Sequence, residues 1–401
     1  MNQVLGYVTP VRAYVKGEEI YMQAASGRVA DALAAHYERL LICTRVVYGP
    51  PPSPTDLPLE SKNIKLVPQP YWGSSLGSLP HFFAIVRAYL RTCREADIIF
   101  VRGMCPYIGA LYLFAFLFQR PVCHWIVGNP VALLQSSKRG GRLLDLFSLL
   151  YALQDRLQTR VGRWLTDGIF LCNGHELAQA YRSPRTVATV SSAIRQGEFV
   201  PRIDTCHGET IRILFVGYIR PEKGIEYLLD AVSQLPISQS WELHIVGPSD
   251  FPNYRRQLDD LVASLGVGEQ VFWTGYSSYG EPLFERLRGA DLLVLPSLSE
   301  GTPHVLVEAR ANGLPCISTT VGGVPSSVTD GYDALLVPPK NSRALAKAIE
   351  RVIHDGDLRR TLIRNGLDSA RAHTLERFVG AVRGQLERNP EGAATKLHAN
   401  P

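Results

Sequence analysis

Short apolar or β-branched runs alternate along the chain with longer stretches whose apolar positions recur at helical spacing. Val4–Val8, Leu41–Val47, Ile64–Val67, Asp97–Val101, Val122–Val127, Gly168–Cys172 and Val187–Val190 read as strands. Strands separated by helical patterns imply a parallel sheet covered by helices. After the polar stretch Pro201–Glu209 the pattern starts again, with strands predicted at Ile211–Gly217, Glu242–Gly247, Val271–Gly275, Asp291–Pro296, Pro315–Thr319 and Ala334–Val337. The expected architecture is α/β, with two Rossmann-like domains whose parallel sheets face each other across a cleft. The domains span residues 1–205 and 206–375, joined by a linker at 201–209. Residues 376–401 form a helix returning to the first domain and a tail without apolar periodicity.

Length agrees, since 401 residues suffice for two domains of ordinary size. The apolar share of 46% and charged share of 20% exclude a disordered or fibrous chain. Seven cysteines are scattered without a C-x-x-C pair, which argues against a zinc site or disulfide framework and for a reducing compartment. The N-terminus reads as a first buried strand rather than an export signal. The apolar run Tyr107–Phe118 is too short to span a bilayer, which takes roughly 20 residues, and is expected as a core helix. A cytoplasmic protein follows from these readings, either free or peripheral on the inner face of a membrane.

Charge is uneven. Residues 1–208 hold 22 Lys and Arg against 14 Asp and Glu, whereas the remainder holds 20 against 23. The basic half is either an ordinary solvated surface or a face for something anionic: a membrane, a lipid diphosphate or an acidic glycan. Nucleic acid is disfavoured, because no basic stripe is interleaved with aromatics. In Lys138–Leu153, cations precede an amphipathic helix that either packs on the first sheet or lies on anionic lipid.

Three segments of the second half carry candidate chemistry. Phe215-Val-Gly-Tyr-Ile-Arg-Pro-Glu-Lys-Gly runs from a buried strand through a glycine turn at Gly217 into a helix. Ligands of open α/β sheets bind at such carboxyl ends, where helix N-termini favour anions. Arg220 and Lys223 add two cations, which suits a diphosphate. In Pro296-Ser-Leu-Ser-Glu-Gly-Thr-Pro-His-Val-Leu-Val-Glu, Thr302 reads as an N-cap, Pro303 as the first helical residue and Gly313 as the residue past the helix end. Glu300 then lies in the loop and Glu308 on the second turn, where carboxylates can accept hydrogen bonds from sugar hydroxyls. The third loop, Thr319-Thr-Val-Gly-Gly-Val-Pro, carries Gly322 and Gly323, which allow close backbone approach.

Together these segments resemble the retaining glycosyltransferases of GT-B fold, the large group that includes bacterial mannosyl- and glucosyltransferases. The likeness covers about Ile211 to Ile349. It implies transfer of a hexose from a nucleoside-diphosphate sugar, with retention, to a glycan, glycolipid or small-molecule acceptor. The sugar nucleotide is then a co-substrate, with no further cofactor and no metal. Arg220 and Lys223 would meet the donor diphosphate, Glu300 the sugar hydroxyls and Glu308 the ribose. Amides around Gly301, Thr302, Pro303, His304 and Val305 would reach sugar or phosphate, with Gly275 near the base.

The chain departs from the family in two places. Tyr218 follows Gly217 where most relatives have arginine, so Arg220 comes two residues late. In the first domain a single Gly17 stands where many relatives have a glycine pair. Arg102, His124 and Asn129 are candidates for the acceptor or sugar side, with His124 equally readable as a core histidine. The only Asp-x-Asp, Asp355-Gly-Asp357, reads as a solvated turn. A dehydrogenase is disfavoured because no G-x-G-x-x-G follows a first strand. The competing functions are an epimerase or hydrolase on the same fold, and a non-catalytic sugar-nucleotide scaffold.

Overall fold

The computed structural model describes residues 3–51, 56–73, 76–128, 142–235, 240–249 and 251–387. The chain divides into two units, Val190–Thr374 on the one hand and Met1–Thr189 with Leu375–Pro401 on the other.

In the first unit the strands are β1 (Val4–Val8), β2 (Ala13–Lys16), β3 (Glu19–Gln23), β4 (Arg39–Tyr48), β5 (Asp56–Pro58), β6 (Ile64–Gln69), β7 (Ile98–Arg102), β8 (Val122–Ile126), β9 (Ile169–Asn173) and β10 (Thr186–Thr189). Their order is β10-β9-β8-β7-β1-β4-β2-β3-β5, with β6 also against β4. All pairings are parallel except β2 with β3 and β3 with β5. These antiparallel additions were not expected from the sequence, because β2, β3 and β5 are short and half-exposed and lack a continuous apolar run. Gly17 sits in the two-residue turn joining β2 to β3, with φ +63° and open space around it. It answers the hairpin's need for a left-handed residue, not a ligand's need for close backbone approach.

The helices of this unit are α1 (Ala24–Ala34), α2 (Phe82–Glu95), α3 (Ile108–Leu117), α4 (Arg142–Thr166) and α5 (His175–Ala180). A row of aromatics, Tyr7, Phe100 and Trp125, crosses three adjacent strands at centroid spacings of 5.5 and 6.2 Å. The final helix, Leu375–Glu387, closes over that row. Its Leu375, Phe378, Val379, Val382 and Leu386 follow helical spacing into the core, and Phe378 lies 4.6 Å from Trp125.

Helix α3 was expected as a core helix, but only Ile108, Leu111, Tyr112 and Ala115 are buried, while Leu113, Phe116 and Leu117 face solvent. It packs closely on α4, where a Cβ at Gly162 would fall 2.1 Å from the Tyr112 ring. The same face of α4 buries Asp155, whose carboxyl is pushed up to about 7 by desolvation. Between about pH 4 and pH 7 the folded chain therefore keeps a proton that the unfolded chain has released. Stability should fall as pH rises through that window and level off above it. Asp155→Asn is expected to flatten the slope, so its urea-unfolding free energy should gain roughly 2–3 kcal/mol on wild type between pH 5 and pH 8. Parallel pH profiles for the two proteins would show that Asp155 ionises freely.

The second unit holds β11 (Thr210–Val216), β12 (Ser240–Val246), β13 (Val271–Gly275), β14 (Leu292–Leu295), β15 (Cys316–Thr319) and β16 (Leu335–Val337). They form one parallel sheet in the order β13-β12-β11-β14-β15-β16. Its helices are α6 (Ile225–Ser233), α7 (Pro252–Leu265), α8 (Glu281–Arg288), α9 (His304–Ala311), α10 (Ser342–His354) and α11 (Gly356–Arg371). The returning helix Leu375–Glu387 is α12.

The stretch 201–209, expected as a linker, is strapped to this second unit. Arg202 donates to the Ala290 carbonyl at 2.8 Å, the Cys206 amide donates to Asp291 at 2.8 Å, and Asp204 receives Arg359 at 2.6 and 3.1 Å. Arg359 also donates to the Val352 and Ile353 carbonyls at the end of α10. The polar residues that make the segment read as a linker have partners up to 156 positions away, which local pattern cannot reveal. Asp355, of the Asp-x-Asp pair, caps α11 by accepting from the Leu358 amide at 2.9 Å, and Asp357 pairs with Arg360.

Candidate functional site

Successive connections in the second sheet run outward from β11 to β12 and β13, then cross back to β14, β15 and β16. The reversal lies between β11 and β14, and an open α/β sheet offers its ligand crevice at the carboxyl ends of such strands. The turns after β11, β14 and β15, which hold the three motifs, are therefore spatial neighbours.

Two glycines show how closely these turns meet. Gly224, with φ +63°, starts α6, and a Cβ there would fall 2.4 Å from the Pro296 carbonyl oxygen. Gly322, with φ +50°, would place a Cβ 1.9 Å from the Glu300 carbonyl oxygen. Both contacts are backbone on backbone, so only glycine fits. The Leu298 amide donates to the Glu222 carbonyl at 2.8 Å, tying the β14 turn to the β11 turn.

Across this junction Lys223 Nζ donates to Glu300 Oε1 at 2.5 Å, and the same oxygen accepts from Ser297 Oγ at 2.7 Å. The structure thus joins Lys223 and Glu300 as one polar unit, which their separation of 77 positions could not reveal. Arg220 is held by rings, its guanidinium carbon lying 4.4 Å from the centroid of Tyr218 and 5.7 Å from that of Phe251. It also approaches Glu222 at 4.0 Å. Tyr218, the departure from the family pattern, is thus the platform for the displaced arginine. Gly217 donates its amide to the Val246 carbonyl at 2.9 Å.

Helix α9 begins one residue later than expected. Pro303 occupies the N-cap position with extended ψ of 111°, His304 is the first helical residue, and Thr302 makes no side-chain cap. Thr302 Oγ1 is instead buried without a hydrogen-bond partner among the described residues. Gly301 lies just before it in the loop, and Val305 is part-buried in the first turn. His304 Nε2 lies 3.1 Å from the buried Ser191 Oγ, a partner 113 residues away that sequence reading missed. Glu308 is only 3% exposed on α9, so it is not an ordinary surface-helix glutamate. Gly313 follows the helix at φ +62°. Gly275 ends β13 at φ +70°, where its carbonyl accepts from the Gly247 amide at 2.8 Å.

The first-unit candidates fare differently. His124 is 2% exposed. Its Nε2 donates to the Gly103 carbonyl at 2.8 Å, so Nδ1 accepts from Tyr112 OH at 2.9 Å. Burial lowers its pKa to about 4, leaving it neutral. His124 is therefore a satisfied core histidine, with both ring nitrogens hydrogen-bonded inside the first unit. Arg102 ends β7, stacks 4.9 Å over Trp125 and donates to Ser26. Asn129 lies outside the described residues.

Residues 202–368 match the family described as Glycosyl transferases group 1. A glycosyltransferase of Methanocaldococcus jannaschii, itself uncharacterized, is 34% identical over 153 residues, 38% of this chain and 38% of that protein. An alpha-D-kanosaminyltransferase of Streptomyces kanamyceticus is 31% identical over 153 residues, 38% of this chain and 39% of that protein. The chain thus spans less than half the length of these curated relatives. Among solved structures, sucrose-phosphate synthase from Thermosynechococcus elongatus aligns with 98% of this chain and 100% of its own, at a TM-score of 0.72 and 21% identity. Residues 202–368 thus carry a group 1 glycosyltransferase domain, in a chain whose two parallel-sheet units have the GT-B fold.

Proposed function

We propose that the chain transfers a hexose from a nucleoside-diphosphate sugar to a glycan, glycolipid or small-molecule acceptor, with retention of configuration and without a metal. The observation that carries this reading is the Lys223–Glu300 pair at the strand-order reversal, with a buried carboxylate, Glu308, on the adjoining helix. HepE of Anabaena, solved in complex with UDP and glucose, aligns with 96% of this chain at a TM-score of 0.68 and supports a sugar-nucleotide donor.

In this reading the diphosphate takes up the Lys223 ammonium and the stacked Arg220 guanidinium, and Glu300 turns to the sugar hydroxyls. Glu308 accepts from the ribose. As the glycosidic bond breaks through an oxocarbenium-like state, negative charge grows on the leaving diphosphate, and fixed cations stabilise it without rearrangement.

Thermal shifts with UDP, GDP, ADP, TDP and CDP test the donor site. A ligand at 100 times its dissociation constant adds about 2.7 kcal/mol, so one nucleotide should raise the melting temperature selectively, and Glu308→Ala should remove most of the gain. Release of free nucleotide from the matching sugar donor, unchanged by EDTA, then establishes turnover without a metal. Binding without turnover would leave a scaffold, and no shift in a folded protein would remove the donor site.

A further inference from the structure

Helix α4 is built inside out. Among its described side chains, residues 149–166, the buried positions are Ala152, Asp155, Thr159, Gly162 and Thr166, small or polar without exception. On the opposite side, Leu150, Leu153, Leu157, Val161 and Trp164 are exposed, with Leu157 and Trp164 each at 64%. At helical spacing those five lie within an arc of about 80°, along about 21 Å of helix. An exposed stripe of this length on a helix that keeps polar groups inside runs against ordinary burial and marks an interaction face.

The neighbouring helix extends it. Helix α3 packs against α4, the Gly109 amide donates to Gln158, and α3 leaves Leu113, Phe116 and Leu117 exposed. No charged residue occurs from Gly103 to Gln119. Along residues 149–166 the charged side chains outside the core are Arg156, Arg160 and Arg163, and the one carboxyl, Asp155, is buried. Arg156 and Arg160 flank the stripe with their guanidiniums on the Ala180 carbonyl, and Arg163 lies over Phe170.

We infer that the exposed α3–α4 face docks on the surface of an anionic bilayer, with the leucines and Trp164 in the interfacial layer and the arginines at headgroup level. Charge selects this occupant over a second copy of the chain. Two such faces packed together would bring arginines against arginines with no exposed carboxylate among the described side chains of α4 to offset them, whereas anionic headgroups attract each one. No described helix is long and apolar enough to cross a membrane, so the contact is a helix lying in the interface plane. This inference does not depend on the proposed transfer reaction.

Flotation of the full chain with vesicles tests it. Wild type should float with phosphatidylcholine vesicles containing phosphatidylglycerol, less with phosphatidylcholine alone, and less as salt rises. The double variant Leu153→Glu/Leu157→Glu replaces exposed side chains and should keep the wild-type melting temperature. Its partitioning onto anionic vesicles should fall by about tenfold or more. Arg160→Glu should weaken binding to the anionic vesicles only. Failure of wild type to float with anionic vesicles, or equal flotation of the double variant, would overturn the inference. So would a wild-type dimer in sedimentation equilibrium that the double variant abolishes, since the face would then belong to a second copy.

Discussion

Lys223→Ala is expected to lower kcat for sugar transfer by roughly 10²–10³, a loss typical of removing one fixed group aimed at developing negative charge. Lys223 Nζ is oriented before any donor arrives, because Glu300 Oε1 accepts from it at 2.5 Å and the same oxygen accepts from Ser297 Oγ at 2.7 Å. In the proposed reaction this positioned charge acts on the leaving diphosphate, and alanine removes it. The same change strips Glu300 of its cation, so Lys223→Arg serves as the companion: it keeps the charge, and its activity should recover by about tenfold or more over the alanine variant. Rates with a saturating donor, and melting temperatures of all three proteins, check the prediction. An alanine variant that stays folded and works within about threefold of wild type would remove Lys223 from the reaction.

Apart from β2, β3 and β5, the strands of both sheets were legible because parallel strands buried on both faces read as continuous apolar runs. Their carboxyl-end loops were legible for a related reason: glycines and charged residues at the end of an apolar run stand out. Candidate positions were therefore readable where their marks are local, as with Lys223 and Glu300, which the structure pairs, and Glu308, which it buries. What could not be read was partnership over distance. Ser191 beside His304, Asp204 beneath Arg359 and Phe251 against Arg220 carry no local mark. His124 shows the converse, a residue with chemical promise whose neighbours, Tyr112 and Gly103, use up both its nitrogens. Helix α4 was misleading in a third way. Apolar periodicity identifies a stripe but not which side the core takes, and here the core takes the small residues.

The buried pair Arg310–Asp333 should dominate the stability of the second unit. Arg310 is 1% exposed on α9, two residues beyond Glu308, and its Nη1 lies 2.5 Å from Asp333 Oδ2. Its Nε donates to the Leu306 carbonyl at 2.9 Å, and the Thr329 amide donates to Asp333 Oδ1 at 2.6 Å. The pair thereby pins α9 to the loop that leads into β16. Its own burial depresses the guanidinium's pKa, with Asp333 opposing the shift. Arg310→Met would leave the Asp333 carboxylate in the core without a counter-charge, at an expected cost of roughly 3–5 kcal/mol. Asp333→Leu should cost a similar amount by stranding the arginine. The double variant should be markedly more stable than either single one, since an apolar pair needs no compensation for desolvation. Urea unfolding of the four proteins gives the cycle, and strictly additive losses would show that the two groups do not depend on each other. Because α9 also carries Glu308, nucleotide binding by the single variants should weaken in step with their stability and return in the double variant.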